Sequence, residues 1–293
     1  MNTCKLIAFD MDGTLLCSDK TLSEENRLAL TAAAEAGIVL VPATGRPRKG
    51  ITEEILGLPG VRYLILTNGA AVIDLAEQRL LYRRELPVER AVAVMERLEA
   101  TGLNLVYDCY IDGRGFITAS MRERLSDFLK EPAMLRLYTG IRQGVNELKA
   151  FLRDRGGTIE KMQSLFLSQE DLRTAQAMLE REFPDLVLSS SIGCNIEINA
   201  PGATKGEALL ALCRELQIDR QDTAAFGDGI NDISLLRAAG LGVAMQNAED
   251  AVKAAADCVT LTNDESGVAK VIRELLAGDE KTQFALEKPS GKC

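Results

Sequence analysis

The sequence contains no histidine among its 293 residues. This absence excludes catalytic triads and dyads that use an imidazole base, and it excludes metal sites with histidine ligands. Any proton transfer in this protein must then use aspartate, glutamate, lysine, tyrosine or cysteine. A functional site, if there is one, has to be built without imidazole.

Positive charge is scarce relative to negative charge. The chain has 34 lysine and arginine residues against 43 aspartate and glutamate residues, which gives a formal net charge of -9. Proteins that bind the phosphate backbone of nucleic acids are normally basic, so no nucleic-acid partner is expected, although local basic pockets for small anions remain compatible with this charge. Long apolar runs are missing too, so no membrane partner is expected.

Cysteine pairing signals are absent as well. The seven cysteines are odd in number and none forms a CxxC motif. With no signal peptide at the start of the sequence, they are expected to be reduced thiols in a cytoplasmic protein. Apolar residues nevertheless make up 46% of the chain, which is enough for a sizeable core.

Short apolar strands alternate with helices at both ends of the chain, whereas the middle alternates helices with paired strands. This pattern predicts an α/β fold, with a Rossmann-like doubly wound parallel sheet as the core and an α+β module inserted into it. The predicted core comprises residues 1–83 and 199–279, and the predicted module comprises residues 84–198. Residues 280–293 are predicted to be a polar tail.

Polar residues follow several of the predicted apolar strands. The stretches are Asp10–Thr14, Ala43–Arg46, Thr67–Gly69 and Phe226–Asp232, and Lys205 begins a predicted helix. In open parallel sheets the ligand crevice lies outside the carboxyl ends of the strands, so these residues are expected to meet there.

The expected carboxylate cluster consists of Asp10, Asp12, Asp228 and Asp232. Oxygen ligands without histidine or cysteine suit Mg²⁺, which is usually held by one or two carboxylates together with substrate phosphate. The chemistry indicated is therefore phosphoryl transfer with metal charge compensation.

Hydrogen-bond donors for phosphate oxygens are expected at the same edge of the predicted sheet. Lys205 and the hydroxyl of Thr14 or Thr44 are candidates, together with backbone N–H groups near Gly13 and Gly45.

The stretches "DMDGTLL", "ATGR", "TKGEAL" with Lys205, and "FGDGINDISLLRAAGLGVAMQNA" resemble the four motifs of the haloacid dehalogenase-like phosphohydrolases. The resemblance covers nearly the whole chain and is closest to the Cof-type sugar-phosphatase branch. That branch carries a large α/β cap between the second and third motifs, so the inserted module is expected to be a cap that selects the substrate.

The resemblance implies roles for the acidic residues. Asp10 would be the nucleophile that forms an aspartyl-phosphate. Asp12 would be the general acid for the leaving alcohol and then the base for the attacking water. Asp10, the backbone carbonyl of Asp12, and Asp228 would ligate Mg²⁺, and Asp232 would support the metal shell and Lys205.

The resemblance also implies a phosphate- and substrate-binding set, which consists of Thr44, Gly45, Arg46, Lys205 and Asn231. Asn231 would contact either the phosphate or the metal shell. For Arg46 two interpretations stay open, a substrate contact or a contact with a core carboxylate only.

Some positions near the motifs are less specific. Asn68 and Gly69 belong either to the site or to a plain hairpin turn. Gly229 stands where many members of the branch have asparagine, and Gln246 stands where glycine is usual. Neither departure removes a catalytic group.

The function expected is a Mg²⁺-dependent phosphatase that hydrolyses small phosphorylated metabolites, such as sugar phosphates or nucleotide-derived phosphomonoesters. The alternatives are a phosphomutase or phosphotransferase of the same family and a non-catalytic metabolite-binding protein. A cation-pump ATPase is disfavoured because those pumps carry threonine where Asp12 stands and because membrane spans are missing. The oligomeric state cannot be read from the sequence.

Overall fold

The structure, a computed structural model, describes residues 4–278. The predicted polar tail of residues 280–293 and Cys293 lie outside the described residues. Within residues 4–278, no helix is both long enough and apolar enough to cross a membrane.

Strands and helices alternate along much of the chain. The strands are β1 (Leu6–Phe9), β2 (Val39–Pro42), β3 (Tyr63–Leu66), β4 (Ala71–Asp74), β5 (Arg79–Arg83), β6 (Leu86–Pro87), β7 (Leu105–Ile111), β8 (Arg114–Thr118), β9 (Arg142–Val145), β10 (Thr158–Ile159), β11 (Lys161–Phe166), β12 (Val187–Ser189), β13 (Asn195–Asn199), β14 (Thr223–Gly227), β15 (Leu241–Ala244) and β16 (Cys258–Val259). The α-helices are α1 (Glu24–Glu35), α2 (Glu53–Leu56), α3 (Val88–Ala100), α4 (Ala119–Glu123), α5 (Leu125–Phe128), α6 (Pro132–Ile141), α7 (Leu148–Arg155), α8 (Gln169–Glu182), α9 (Lys205–Leu216), α10 (Ile233–Ala238), α11 (Asp250–Ala255) and α12 (Gly267–Ala277).

The described chain forms two compact units. The first contains residues 4–45, 51–83 and 204–278, and the second contains Arg46–Gly50 and Arg84–Ala203. The short segment Arg46–Gly50 groups with the second unit, which the sequence pattern did not indicate. The predicted division into a catalytic core and a substrate-selecting cap, with boundaries at 83/84 and 198/199, stays a prediction.

A parallel five-stranded sheet forms the centre of the first unit, in the order β16-β15-β14-β1-β2. Side chains of β1 alternate between two apolar clusters, one on each face. Ile7 and Phe9 pack with residues of α1 and α12, whereas Leu6 and Ala8 pack with residues of α9 and α10. The sheet therefore carries helices on both faces, as the alternating pattern predicts.

A three-stranded antiparallel sheet, β3-β4-β5, completes the first unit. Thr44 lies just beyond β2, and its backbone N–H donates to the Ile65 carbonyl at 2.9 Å. Strand β3 therefore runs beside β2 and parallel to it. Helix α1 begins directly after Ser23. Ser23 is the N-cap, because its side chain accepts the Asn26 N–H at 3.2 Å.

The second unit is built on a six-stranded sheet in the order β12-β13-β11-β7-β8-β9. Neighbouring strands are antiparallel except for β8 and β9, which are parallel. The helices α4 to α6 lie between β8 and β9, and the sequence pattern does not predict them. This mixed sheet with separate helices is the α+β arrangement predicted for the inserted module.

A buried ion pair lies inside the second unit. Arg142 donates from Nε to Asp108 Oδ2 at 2.8 Å and from Nη2 to the Tyr110 hydroxyl at 2.9 Å. The side chains of Arg142 and Asp108 are 0% and 2% exposed, and the Arg142 guanidinium lies 3.9 Å from the centre of the Tyr138 ring. Because both charges are out of water, each needs the other to offset its desolvation.

Replacing Arg142 with methionine is expected to destabilise the protein by about 3–5 kcal/mol, because it leaves the Asp108 carboxylate buried and unpaired. The double variant Asp108→Leu/Arg142→Met should regain most of that loss. Urea denaturation followed by circular dichroism measures both. A double variant as unstable as Arg142→Met would show that packing, and not the unpaired charge, causes the loss.

Candidate active site

Lys205 lies fully buried between two carboxylates at the carboxyl end of the parallel sheet. Its Nζ donates to Asp10 Oδ1 and to Asp232 Oδ1, each at 2.6 Å. It is the first residue of α9, whose N-cap is Thr204. Burial alone would lower the pKa of Lys205, but the charges of Asp10 and Asp232 outweigh it and raise the pKa above its usual value. The side chain is therefore an ammonium group with two of its three N–H groups already used.

Asp10 directly follows β1 and is 6% exposed. Its backbone N–H donates to the Phe226 carbonyl at 3.0 Å, which fixes it against the end of β14. Burial raises the pKa of the Asp10 carboxyl well above its usual value, the charge of Lys205 opposes that rise, and neighbouring carboxylates add to it. More positive charge is needed for Asp10 to ionise readily.

Asp228 follows β14 and faces the Asp10–Thr14 loop. The Thr14 hydroxyl donates to Asp228 Oδ1 at 2.6 Å, so Thr14 belongs to the carboxylate cluster. Gly13 has φ +83°, and a Cβ there would lie 2.3 Å from Asp228 Oδ2. Only glycine allows this approach. Burial and then the charge of Asp232 raise the pKa of Asp228 to about 6.

Asp232 uses both of its oxygens within the protein. Oδ1 accepts from Lys205, and Oδ2 accepts the backbone N–H groups of Asp228 and Gly229 at 3.0 and 2.9 Å. These bonds fold the loop after β14 around the carboxylate. The arrangement suits a supporting role better than a direct metal contact.

Asp10, Asp228 and Asp232 each offer a carboxylate oxygen, and these oxygens lie within 4.8 Å of one another. In the part of the chain that the structure describes, no hydrogen bond reaches Oδ2 of Asp10 or Oδ2 of Asp228. A divalent cation that prefers oxygen ligands fits this carboxylate cluster. Its positive charge would favour the ionised forms of Asp10 and Asp228, whose pKa values are raised without it.

Asp12 lies in a different environment from Asp10. Its side chain is 34% exposed and forms an ion pair with Lys20 at 3.2 Å. Asn247 donates to the Gly13 carbonyl at 2.8 Å and so holds the same loop. Neither Lys20 nor Asn247 is part of the predicted set. Lys20 lies outside the four motifs, and Asn247 lies within the fourth motif but has no role assigned to it from the sequence.

The predicted phosphate-binding residues of the first unit lie around the same sheet edge. Thr44 is buried, and its carbonyl accepts the Asn68 N–H at 3.1 Å. Asn231 lies in a 3-10 turn after β14, and its Nδ2 donates to Asn68 Oδ1 at 3.1 Å. Gly45 is the last residue before the chain enters the second unit.

Arg46 groups with the second unit, where its Nη1 donates to the Gly50 carbonyl at 2.9 Å. Both interpretations of Arg46 stay open, and its part in substrate binding stays a prediction.

Carboxylates grouped around a buried ammonium group at the carboxyl end of a parallel sheet suit phosphoryl transfer assisted by a divalent cation. The sequence profile of the haloacid dehalogenase-like hydrolases matches residues 7–272. The chain belongs to this family.

Relatives extend the match over nearly the full chain. Phosphatase YwpJ of Bacillus subtilis is 34% identical over 93% of this chain and 100% of its own length. The 5-amino-6-(5-phospho-D-ribitylamino)uracil phosphatase YcsE of B. subtilis is 32% identical over 92% of this chain and 94% of its own.

A solved haloacid dehalogenase-like hydrolase from B. subtilis is similar in structure. It superposes with a TM-score of 0.80 at 32% identity, covering 92% of this chain and 99% of its own. Together these findings confirm the predicted family, the predicted fold class and the predicted class of enzyme. The protein is a phosphatase of the haloacid dehalogenase-like family.

Without divalent cations, the protein is expected to lose stability as the pH rises from about 4 to about 6. Folded Asp228 keeps its proton up to a pKa of about 6, whereas an unfolded aspartate releases it near pH 4, about two units lower. The folded state therefore binds more protons in this window. Thermal unfolding in buffers with chelator measures the slope.

Asp228→Asn should flatten this slope and stabilise the metal-free protein at pH 7 by roughly 1–2 kcal/mol. Asp264→Asn is the matched control. Ser18 lowers the pKa of Asp264 through two hydrogen bonds, so that residue titrates below this window. An unchanged slope in Asp228→Asn would contradict the assignment.

Proposed function

We propose that this phosphatase requires Mg²⁺ and hydrolyses small phosphorylated metabolites through an aspartyl-phosphate on Asp10. The observation that carries the proposal is the buried Asp10–Lys205–Asp232 contact with Asp228 beside it. That geometry and the chemistry of phosphoryl transfer support the roles that the family resemblance implies for these residues.

In the first step, an Asp10 oxygen attacks phosphorus and the bond from phosphorus to the ester oxygen breaks. Asp12 donates its proton to the leaving alkoxide, which departs as an alcohol. In the second step, Asp12 takes a proton from water, which attacks the phosphorus, and the bond between Asp10 and phosphorus breaks. Asp10 is regenerated and inorganic phosphate leaves.

The phosphoryl group carries negative charge throughout these steps. Two N–H groups of Lys205 hold Asp10 and Asp232, and we propose that the third binds one phosphoryl oxygen. Thr44, Gly45 and Asn231 would complete the phosphate contacts. Arg46 is proposed as a substrate contact.

Asp10, the backbone carbonyl of Asp12, and Asp228 would hold Mg²⁺, with Asp232 in support. When bound, the cation supplies the positive charge that lets the nucleophile ionise and that offsets charge on the phosphoryl oxygens. The raised pKa values of Asp10 and Asp228 support this assignment, because both carboxyls need such compensation.

The substrate class proposed is a phosphomonoester with a small polar leaving group, such as a sugar phosphate or a nucleotide-derived phosphate. The relative YcsE, a 5-amino-6-(5-phospho-D-ribitylamino)uracil phosphatase, supports this class. The cytoplasm is the proposed location. The cysteines described in the structure are free thiols, which agrees with a reducing compartment.

Asp10→Asn is expected to reduce turnover by about three orders of magnitude or more, because it removes the nucleophile. Phosphate release from p-nitrophenyl phosphate with Mg²⁺ measures the effect, and chelator should abolish the wild-type activity. Asp264→Asn, an exposed aspartate outside the site, should retain wild-type turnover. Substantial turnover by Asp10→Asn would refute the assigned nucleophile.

Asp12→Asn should slow hydrolysis of alkyl phosphates by roughly 10²–10⁴-fold, since it removes the acid and the base. With p-nitrophenyl phosphate, whose leaving group needs no proton, the phosphoenzyme should form and then persist. Rapid quench and mass spectrometry would detect phosphate on Asp10. Efficient transfer of that phosphate from wild type to a sugar hydroxyl, without release to water, would favour a phosphomutase instead.

A further inference from the structure

The turn Thr67–Gly69, which follows β3, has an uncommon backbone. Thr67, Asn68 and Gly69 have φ values of 49°, 61° and 96°. Asparagine and glycine tolerate the left-handed region, but a β-branched threonine does so rarely. Such a backbone persists only where its surroundings hold it, and this turn is buried. A plain hairpin turn would need only the Asn-Gly pair.

Two hydrogen bonds and one close backbone approach hold this turn. Each involves a different part of the proposed phosphate site. The Asn68 N–H donates to the Thr44 carbonyl at 3.1 Å. Asn68 Oδ1 accepts from Asn231 Nδ2, also at 3.1 Å. A Cβ on Gly69 would lie 2.1 Å from the Thr204 carbonyl oxygen and 2.9 Å from the Lys205 nitrogen. The turn therefore lies directly against the residues that start α9.

Gly229 lies close to the oxygen of the Asn231 amide, whereas Asn68 accepts a hydrogen bond from the nitrogen of that amide. A Cβ on Gly229 would lie 2.7 Å from Asn231 Oδ1, whereas backbone atoms would not obstruct it. The missing side chain at position 229 thus leaves the space that the Asn231 amide occupies when it reaches Asn68. Glycine at position 229, where many members of the branch have asparagine, therefore leaves room for the contact between Asn231 and Asn68.

We propose that Thr67–Gly69 is a positioning element of the phosphate site, in which Asn68 sets the orientation of the Asn231 amide. An amide that gives one N–H to a fixed acceptor is held in one rotamer, and its second N–H then has a defined direction. The inference rests on the proposed function, in which Asn231 contacts the phosphate. It assigns Asn68 a role in phosphate affinity and none in proton transfer.

Asn68→Gly tests the inference, because glycine keeps the left-handed backbone and removes the acceptor oxygen. The KM of a phosphomonoester and the inhibition constant of inorganic phosphate should both rise about tenfold, the usual effect of one lost hydrogen bond. The kcat and its pH profile should change less than twofold. Gln78→Gly is the matched control, since Gln78 is also left-handed but exposed, and it should change neither constant.

Gly229→Ala places a methyl group against the oxygen of the same amide, and only the flexible end of the Asn231 side chain must move to make room. This variant should raise the KM and the inhibition constant of phosphate to a similar extent. The double variant Asn68→Gly/Gly229→Ala should be no weaker than either single variant within twofold, because both act through Asn231. Should Asn68→Gly fail to fold, Gly229→Ala decides alone. Unchanged phosphate affinity in these variants, or effects that multiply in the double variant, would overturn the inference.

The wild-type protein separates this inference from the proposed function. If wild type with Mg²⁺ hydrolyses no phosphomonoester, the proposed function fails. Calorimetric titration of wild type, Asn68→Gly and Gly229→Ala with inorganic phosphate and Mg²⁺ then still tests the inference. About tenfold weaker phosphate binding in both variants supports it, and equal binding in all three proteins refutes it.

Discussion

The burial of one ammonium group between two carboxylates organises the catalytic end of this molecule. Lys205 is 0% exposed and contacts both Asp10 and Asp232. A buried lysine without partners would lose its proton or unfold the site, so these carboxylates are obligatory. The lysine in turn offsets part of the effect of burial, which raises the pKa of Asp10. One contact therefore joins β1, α9 and the loop after β14, which are distant in the sequence.

The parallel sheet explains why these residues meet. Strands β1 and β14 pair in register from Leu6 with Thr223 to Phe9 with Phe226, so their carboxyl ends lie side by side, with β14 one residue longer. Asp10 and Asp228 follow these two ends, and Lys205 approaches from the start of α9. One ammonium group contacts two carboxylates while a third lies nearby, which leaves negative charge that a divalent cation would offset. The fold thus concentrates carboxylates at a place where a bound divalent cation would offset their mutual repulsion.

Much of this arrangement could be predicted because strand-end motifs carry their own geometry. Asp10, Asp228, Asp232 and Lys205 were expected at one sheet edge, and they lie there. The sequence does not distinguish the Asn68 contact from a hairpin turn, because an Asn-Gly pair occurs in both. Helices α4 to α6 are not predictable from the sequence pattern because short helices have weak periodicity. The grouping of Arg46–Gly50 with the second unit depends on contacts distant in sequence, which no local pattern encodes.

The two aspartates after β1 occupy surroundings that suit different tasks. A nucleophile has to be ionised and fixed, and Asp10 is buried, hydrogen-bonded to Lys205 and attached to β14 through its backbone. A group that first gives and then takes a proton has to exchange with water, and Asp12 is partly exposed beside Lys20. Because one residue separates them on a turning loop, their environments diverge within a few ångströms. These different surroundings agree with the proposed division, in which Asp10 bonds to phosphorus and Asp12 transfers the proton.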